Sequence, residues 1–253
     1  MNKELAIANA QLKEMDEIKN EFITMASHQL RTPISVVKGY LSLMLEEAYG
    51  QVPEPIKDKL QQIYGLNERL VQMIDNMLNA ARIEKRKIEY TIVRADLLSA
   101  VRKVVEEMRV KADEKGLKLE FKGPDHPVMA YFDEDKLQEV LTNLMDNAIK
   151  YTDGGDVSVV VGEDGVDEFA SVDITDSGIG MTKEEASRVF TKFFRAKEAV
   201  IREPGTGLGL FICAKFMDGM GGEIGVIETE PGKGTTFGLH LPVTKPDEVE
   251  SKG

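Results

Sequence analysis

The sequence predicts two architectures in one chain, a helical hairpin followed by a mixed α/β domain, on three observations. Apolar residues recur at helical spacing up to about residue 85, with one break at 49–55. From about Ile88 short β-branched runs alternate with amphipathic stretches. Glycines gather at 154–155, 178–180, 205–209 and 219–225. The first pattern is that of paired helices and the second that of strands interleaved with helices. The third marks places where backbone must turn sharply or approach something closely.

The bulk numbers exclude several functions. At 253 residues the chain holds one large domain or two small ones, and 42% hydrophobic residues suffice for a core. A net charge of −12 opposes non-specific binding to DNA, RNA or an anionic membrane surface. It leaves room for a nucleotide in a locally positive pocket. The single cysteine, Cys213, rules out an internal disulfide and fits a reducing compartment. No apolar run reaches the ~18 residues of a membrane span, and the N-terminus lacks the apolar core of a signal peptide. A cytoplasmic location is expected, as a free protein or as the cytoplasmic part of a membrane receptor.

Residues 3–22 contain no Gly or Pro, and Leu5, Ala8, Leu12, Met15 and Phe22 follow a coiled-coil spacing that Lys19 interrupts. A seam that starts this close to Met1 suggests a linker whose upstream sensor domain is missing. After Ile23 the seam shifts phase to Leu30, Ile34, Val37, Leu41 and Met44, in the manner of a stutter. Beyond the 49–55 break a second stripe carries Ile56, Leu60, Ile63, Asn67, Leu70, Ile74, Met77 and Ala81. Asn67 reads equally as a polar residue at a bundle rim or as a buried amide that fixes register and oligomer number. Two such helices cannot bury their stripes alone, so a homodimeric four-helix bundle is expected.

In the second half, strands are expected at 88–93, 117–121, 128–132, 156–162, 169–175, 223–229 and 235–242. Helices are expected at 95–115, 134–151, 182–190 and 208–220. The tail after Pro242 is polar.

Two sets of residues carry chemistry. The first is Ala-Ser-His-Gln-Leu-Arg-Thr-Pro at 26–33. His28 lies one residue off the seam, so its ring should face solvent. An exposed helical histidine is by itself inert. Pro33 changes that reading, because it leaves the Gln29 carbonyl without its helical donor and predicts a bend just after His28. A neutral imidazole accepts a phosphoryl group well near pH 7. The loose transition state of that transfer asks mainly for positioning and charge neutralisation.

The second set spans the α/β half. Asn143 and Asn147, four apart, and Lys150, three further, share a helix face that suits Mg²⁺ and phosphate oxygens, though it also reads as a plain solvated face. Asp176, in Asp173-Ile-Thr-Asp-Ser-Gly-Ile-Gly180, ends a strand on a tight turn and can accept from an exocyclic amine. Gly205-Thr-Gly-Leu-Gly-Leu210 opens a helix, where backbone N–H groups can meet phosphate. Gly232-Lys-Gly-Thr-Thr-Phe237 precedes the last strand. There is no P-loop sequence.

These motifs, in this order, resemble those of histidine kinases. Residues 26–33 resemble the phosphoacceptor box S-H-E-L-R-T-P. Residues from about 90 to 243 resemble the N, G1, F, G2 and G3 boxes of the Bergerat-fold ATPase domain, with Phe190-Thr-Lys-Phe-Phe-Arg195 as the F box. The resemblance implies ATP as substrate and Mg²⁺ held by Asn147. It places Asn143, Lys150 and Arg195 near the phosphates, and Tyr151 against the base. Asp176 would receive the adenine amine, and Gly178 and Gly180 would line its pocket. Gly205, Thr206, Gly207, Leu208 and Gly209 would form the G2 cradle, Thr236 would belong to the G3 box, and 191–206 would be a mobile lid. It further implies a coiled-coil signalling linker over 1–22 and a dimerisation and phosphotransfer domain over 23–87. A catalytic domain over 88–243 and a disordered tail over 244–253 would follow.

The phosphoryl group would pass from His28 to an aspartate of a separate response regulator receiver domain, since none follows in this chain. Gln29 departs from the family, which commonly carries an acid there. An amide cannot take a proton, so slow autophosphorylation is expected. Thr32 falls where the family often positions a water for dephosphorylating the partner, and it reads equally as a threonine that back-bonds within the helix. An ATP-hydrolysing clamp of the gyrase, Hsp90 or mismatch-repair type shares the nucleotide fold. Those enzymes, like the serine-kinase anti-sigma factors, resemble E-x-x-D-N at the stretch that here reads Asn143-Leu-Met-Asp-Asn147. An amide at 143 cannot act as the base for water. A non-catalytic scaffold would rest on Gln29 alone.

Overall fold

The computed structural model describes residues 2–85, 88–164, 169–202 and 205–245. The chain divides into two compact units, Met1–Ile88 and Glu89–Gly253.

The first unit is an antiparallel hairpin of α1 (Asn2–Leu45) and α2 (Glu54–Glu84). α1 continues as one helix through Pro33. The side chains of Leu5, Ala8, Leu12, Lys19, Phe22 and His28 lie outside the described residues, so the early seam is seen only at Met15, which is exposed. On α2 the apolar stripe splits by heptad position. Asn67, Ile74 and Ala81, seven apart, are buried against α1, whereas Ile56, Ile63, Leu70 and Met77 remain 40–52% exposed. On α1 Leu41 is buried while Leu30, Val37 and Met44 are exposed. Each hairpin thus closes one row and leaves the other open to water.

Asn67 is not at a rim. Its Nδ2 donates to the Ile34 carbonyl at 3.3 Å, and its buried Oδ1 has no hydrogen-bond partner among the described residues. Arg31 pairs with Asp75, and Lys38 pairs with Glu68 at 2.9 Å while lying 5.4 Å from the Tyr64 ring centre. The Glu68 hydrogen bond raises the Lys38 pKa. These pairs are partly exposed, so they fix register more than they add stability.

α1 ends in a Schellman turn: the Ala48 N–H donates to the Leu43 carbonyl at 2.9 Å and the Glu47 N–H to Met44 at 3.1 Å. The turn requires a left-handed residue, and Glu47 supplies it at φ 59°.

The second unit is a two-layer α/β sandwich. Its five-stranded sheet has the order β2 (Lys118–Lys122), β4 (Asp156–Asp164), β5 (Phe169–Asp176), β7 (Gly234–Pro242), β6 (Glu223–Glu230). Among the described strands only β2 and β4 run parallel. α3 (Leu97–Glu114), α4 (Glu134–Tyr151) and α7 (Gly209–Gly219) pack side by side against this sheet. A separate ribbon pairs β1 (Val93–Asp96) with β3 (Met129–Phe132) antiparallel. Two short helices, α5 (Lys183–Ala186) and α6 (Lys197–Arg202), lie between β5 and α7. Aspartates cap the long helices, Asp96 for α3 and Asp133 for α4. Among the described residues no helix is long and apolar enough to cross a membrane.

Three sequence expectations need correction. The strand expected at 88–93 lies instead at 93–96. Residues 88, 90 and 92 do alternate with exposed neighbours, but what they pack on is not a strand: the Tyr90 hydroxyl donates to the Lys215 carbonyl and the Thr91 N–H to Asp133. The helix expected at 95–115 starts at 97. Asp96 both ends β1 and caps the helix, so Ala95 and Asp96 belong to the strand. The helix expected at 182–190 is helical only over 183–186. Beyond it the backbone closes i to i−3 bonds, and the Ser187 and Thr191 hydroxyls donate to the Glu184 and Arg188 carbonyls.

Replacing Glu47 by Gly should stabilise the helical unit by about 0.5–1 kcal/mol, because the left-handed penalty of an L-residue exceeds the entropy cost of glycine. Urea unfolding of the two proteins, followed by helical circular dichroism, measures the difference.

Candidate active site

α4 buries Leu137, Val140, Leu141, Leu144, Met145, Ala148 and Ile149. A stripe along the edge of that buried face presents Asn143, Asn147, Lys150 and Tyr151, all half-buried. Asn147 Nδ2 donates to Asn143 Oδ1 at 3.1 Å, which orients both amides. The Lys150 ammonium lies 5.3 Å from the Tyr151 ring centre.

The glycine motifs close onto this stripe by backbone contact. A Cβ at Gly209 would stand 2.5 Å from Asn143 Nδ2, so the N-terminus of α7 sits directly against the α4 amide. A Cβ at Gly178 would overlap the Tyr151 carbonyl, to which the Ile179 N–H donates at 3.1 Å. Gly180, at φ 59°, lies where any side chain would overlap the Glu230 carbonyl, and the Gly232 N–H donates to Ile179 O at 2.7 Å. Gly234, at φ 98°, is pressed onto the Asp176 backbone. Gly207, at φ 69°, is pressed onto Phe193 and Phe194, and its carbonyl accepts from the Phe193 N–H at 3.0 Å. The four motifs, dispersed over ninety-odd positions, thus form one connected cluster.

Asp176 is buried at the end of β5, and its Oδ1 accepts from the Gly178 N–H at 2.9 Å. Burial lifts its pKa from 3.8 to about 6, against the lowering pull of the Gly178 and Thr235 N–H groups. The Thr236 and Thr175 hydroxyls meet at 3.0 Å. The Thr206 hydroxyl accepts from the Leu208 N–H at 3.3 Å, the Leu208 carbonyl accepts from the Ile212 N–H at 2.9 Å, and the Leu208 side chain is buried core. Gly205 lies against the Arg195 guanidinium, whose Nη2 donates to the Ala199 carbonyl within α6.

Sequence reasoning missed several supports. Glu185 completes a capping box with Thr182 and also accepts from the Lys197 N–H at 2.9 Å, so one carboxylate caps α5 and α6. Arg202 at the end of α6 pairs with Asp153, just past α4. The Thr182-x-x-Glu185 spacing carried the first of these. The second, which links distant positions, left no local signal. In the helical unit Gln29 and Thr32 are exposed on α1.

An α4 amide face, a buried strand-end carboxylate and a glycine-led helix together define an ATPase of the Bergerat type. Residues 132–245 match the family model of histidine kinase-, DNA gyrase B- and HSP90-like ATPases, and residues 18–86 match that of the His Kinase A (phospho-acceptor) domain. The chain belongs to the sensor histidine kinases and carries their catalytic core; the phospho-acceptor domain sets it apart from the gyrase and Hsp90 branch. Sensor protein SrrB of Staphylococcus aureus (strain N315) is 36% identical over 232 residues, which are 90% of this chain and 39% of that protein. The chain thus spans about two fifths of the curated relative. Full-length ShkA in complex with AMPPNP is similar with a TM-score of 0.72 at 26% identity, over 89% of this chain and 46% of ShkA. The nucleotide-free catalytic domain of histidine kinase ThkA gives a TM-score of 0.53 at 26% identity, over 62% of this chain and 99% of that domain.

The raised Asp176 pKa sets a sign. The folded protein holds this proton more tightly than the unfolded chain, so the Asp176 contribution to stability falls as pH rises from 3.8 to about 6. Asp176→Asn should therefore gain about 2–3 kcal/mol on the parent between about pH 4 and about pH 7. Urea unfolding of the nucleotide-free proteins across that range reads the gain, and parallel curves would remove the assigned shift.

Proposed function

We propose that this chain binds Mg-ATP on the α4, α7 and Asp176 cluster, transfers the γ-phosphoryl group to His28, and donates it to an aspartate of a response regulator. The observation that carries the reading is the convergence of Asn143, Asn147 and the Gly209 helix start, in a chain that also carries a phospho-acceptor segment.

In this reading Asp176 takes the adenine amine, Gly178 and Gly180 line its pocket, and Tyr151 packs on the base. Asn143, Lys150, Arg195 and the 205–209 backbone face the phosphates, and Thr236 supports the Asp176 turn. Residues 191–206 act as the lid. Among the described residues no cluster of three or more His, Cys, Asp or Glu could hold a metal alone. That suits Mg²⁺, which binds through few protein oxygens and relies on substrate phosphates. The Asn143 amide oxygen is taken by Asn147 Nδ2, which leaves the Asn147 amide oxygen as the protein ligand. Bound there, Mg²⁺ would neutralise phosphate charge.

In the transfer, one imidazole nitrogen of His28 attacks the γ-phosphorus, and the bond to the β,γ-bridging oxygen breaks and releases ADP. The remaining ring N–H then loses its proton to solvent, because Gln29 offers an amide where a carboxylate could take it. Thr32, exposed on α1, would orient a water for a phosphatase reaction on the regulator. The exposed heptad rows of α1 and α2 support a homodimeric four-helix bundle, in which a second hairpin covers Ile56, Ile63, Leu70 and Met77. Such burial stabilises by ~25 cal/mol per Å² of apolar surface. We place the kinase core on the cytoplasmic side, with residues 1–22 receiving the signal of an upstream sensor.

Incubation with γ-labelled ATP and Mg²⁺ should give acid-labile, alkali-stable label at His28, absent in His28→Ala and lowered at least about 100-fold in Asn147→Ala. Rapid free phosphate with no protein label would favour a hydrolytic clamp instead. Gln29→Glu should raise the initial labelling rate about tenfold or more; an unchanged rate would remove the proton-acceptor argument.

A further inference from the structure

The chain entering the ATP-binding unit is fastened to the far ends of the two helices that build the nucleotide site. The Tyr90 ring fills the space a side chain at Gly219 would need: a Cβ there would overlap Cζ and Oη. The Tyr90 hydroxyl donates to the Lys215 carbonyl at 3.3 Å, so the ring holds the last turn of α7. Burial, helped by the Asp218 and Asp133 carboxylates, pushes its pKa up to about 12, which keeps it a neutral donor. One residue on, the Thr91 N–H donates to Asp133 Oδ2 at 2.7 Å, while Asp133 Oδ1 caps α4 through the Lys136 N–H at 3.0 Å.

Both anchors stand apart from the nucleotide cluster. At about 1.5 Å per residue, Gly219 lies about 15 Å along α7 from Gly209. The anchors do touch the same two helices, α7 at its C-terminus and α4 at its N-terminus.

We propose that Tyr90 and Thr91 are positioning residues for autophosphorylation: their fastening keeps the tether between the helical and ATP-binding units short and fixes how the α4 and α7 cluster is delivered to His28. α2 ends at Glu84, so with Tyr90 and Thr91 held the tether is residues 85–89; once the ring leaves α7 and the adjoining Thr91 bond goes with it, it extends to 92, because β1 begins at Val93. Three more residues add about 10 Å of reach. They lower the effective concentration of the ATP-bound unit at His28 by about half, and the lost orientation costs more. The inference rests on the histidine-kinase reading and adds to it a control of delivery that does not act on ATP binding.

The test measures initial rates of His28 labelling in the full chain against ATP concentration. Tyr90→Ala and Gly219→Ala should each lower kcat about five-fold or more, with KM for ATP within about two-fold of the parent. Gly219→Ala acts by expelling the ring, so it should cost nothing further once Tyr90 is Ala. Tyr90→Phe, which keeps the packing, should stay within about two-fold of the parent. An unchanged kcat in both single variants, a loss confined to KM, or additive losses in the double variant would each overturn the fastening. Absence of His28 label in the parent would instead overturn the kinase reading beneath it.

Discussion

The ATP-binding unit is organised by a single geometric constraint, the two-faced helix α4. Seven of its side chains are spent on the core shared with α3, α7 and the sheet. That burial fixes the rotation of the helix, and the rotation dictates which residues are left over. At 3.6 residues per turn, 143, 147, 150 and 151 fall on one edge of the core face, while Asp146 falls on another and pairs with Lys111. No separate force has to aim these side chains at a ligand, because the hydrophobic core aims them. Further contacts fix its ends: Asp133 at the start, and the Lys115 ammonium on the Ile149 and Lys150 carbonyls at the end, at 2.8 and 2.7 Å.

Around that helix the glycines serve as contact points more than as hinges. At Gly178, Gly180, Gly207, Gly209 and Gly234 the missing side chain lets another strand of backbone, or an amide, come within van der Waals range. Three of them also carry a left-handed φ. The consequence is that main chain packs directly against main chain and against the α4 amide. α6 is held by the Arg202–Asp153 pair and the Glu185 cap, both at partly exposed positions. Contacts of that kind release at small cost.

What the sequence made legible follows the range of the forces involved. Helix periodicity and β-alternation are local, so α4, α7 and the sheet strands lie within one or two residues of their expected bounds. The motifs are also local, and the residues they single out lie on the elements expected for them, 143–151 on α4 and Asp176 at the end of β5. The misread stretches are those whose partners lie far away. Residues 88–92 alternate like a strand because one side does pack, but the packing partner is the end of α7, more than a hundred positions distant. The stretch after Ala186 has helical composition, and is drawn out of helix by hydroxyls that take its carbonyls and by Phe190 meeting Phe237 edge-on at 6.1 Å. Asn67 could be read as rim or core, and only the α1 packing places it in the core.

The two departures from common kinase and hydrolase chemistry act on the same quantity from opposite sides. Asn143 removes the carboxylate that would activate water one turn before the Asn147 amide. Gln29 removes the carboxylate that would collect the proton of the attacking imidazole. In the proposed reaction each amide would slow a route by which ATP loses its γ-phosphate, the first to water and the second to His28. Neither changes the charge-neutralising groups that the loose transition state needs most. With both bases absent, the partition between the two routes is governed by positioning, because whichever nucleophile is held in line at the γ-phosphorus gains the larger share of rate. Water has no base at position 143 to orient it, whereas His28 is carried on a helix continuous for 44 residues. On the proposed reaction, the geometry of delivery, more than the chemistry of the pocket, would set how fast the histidine is phosphorylated.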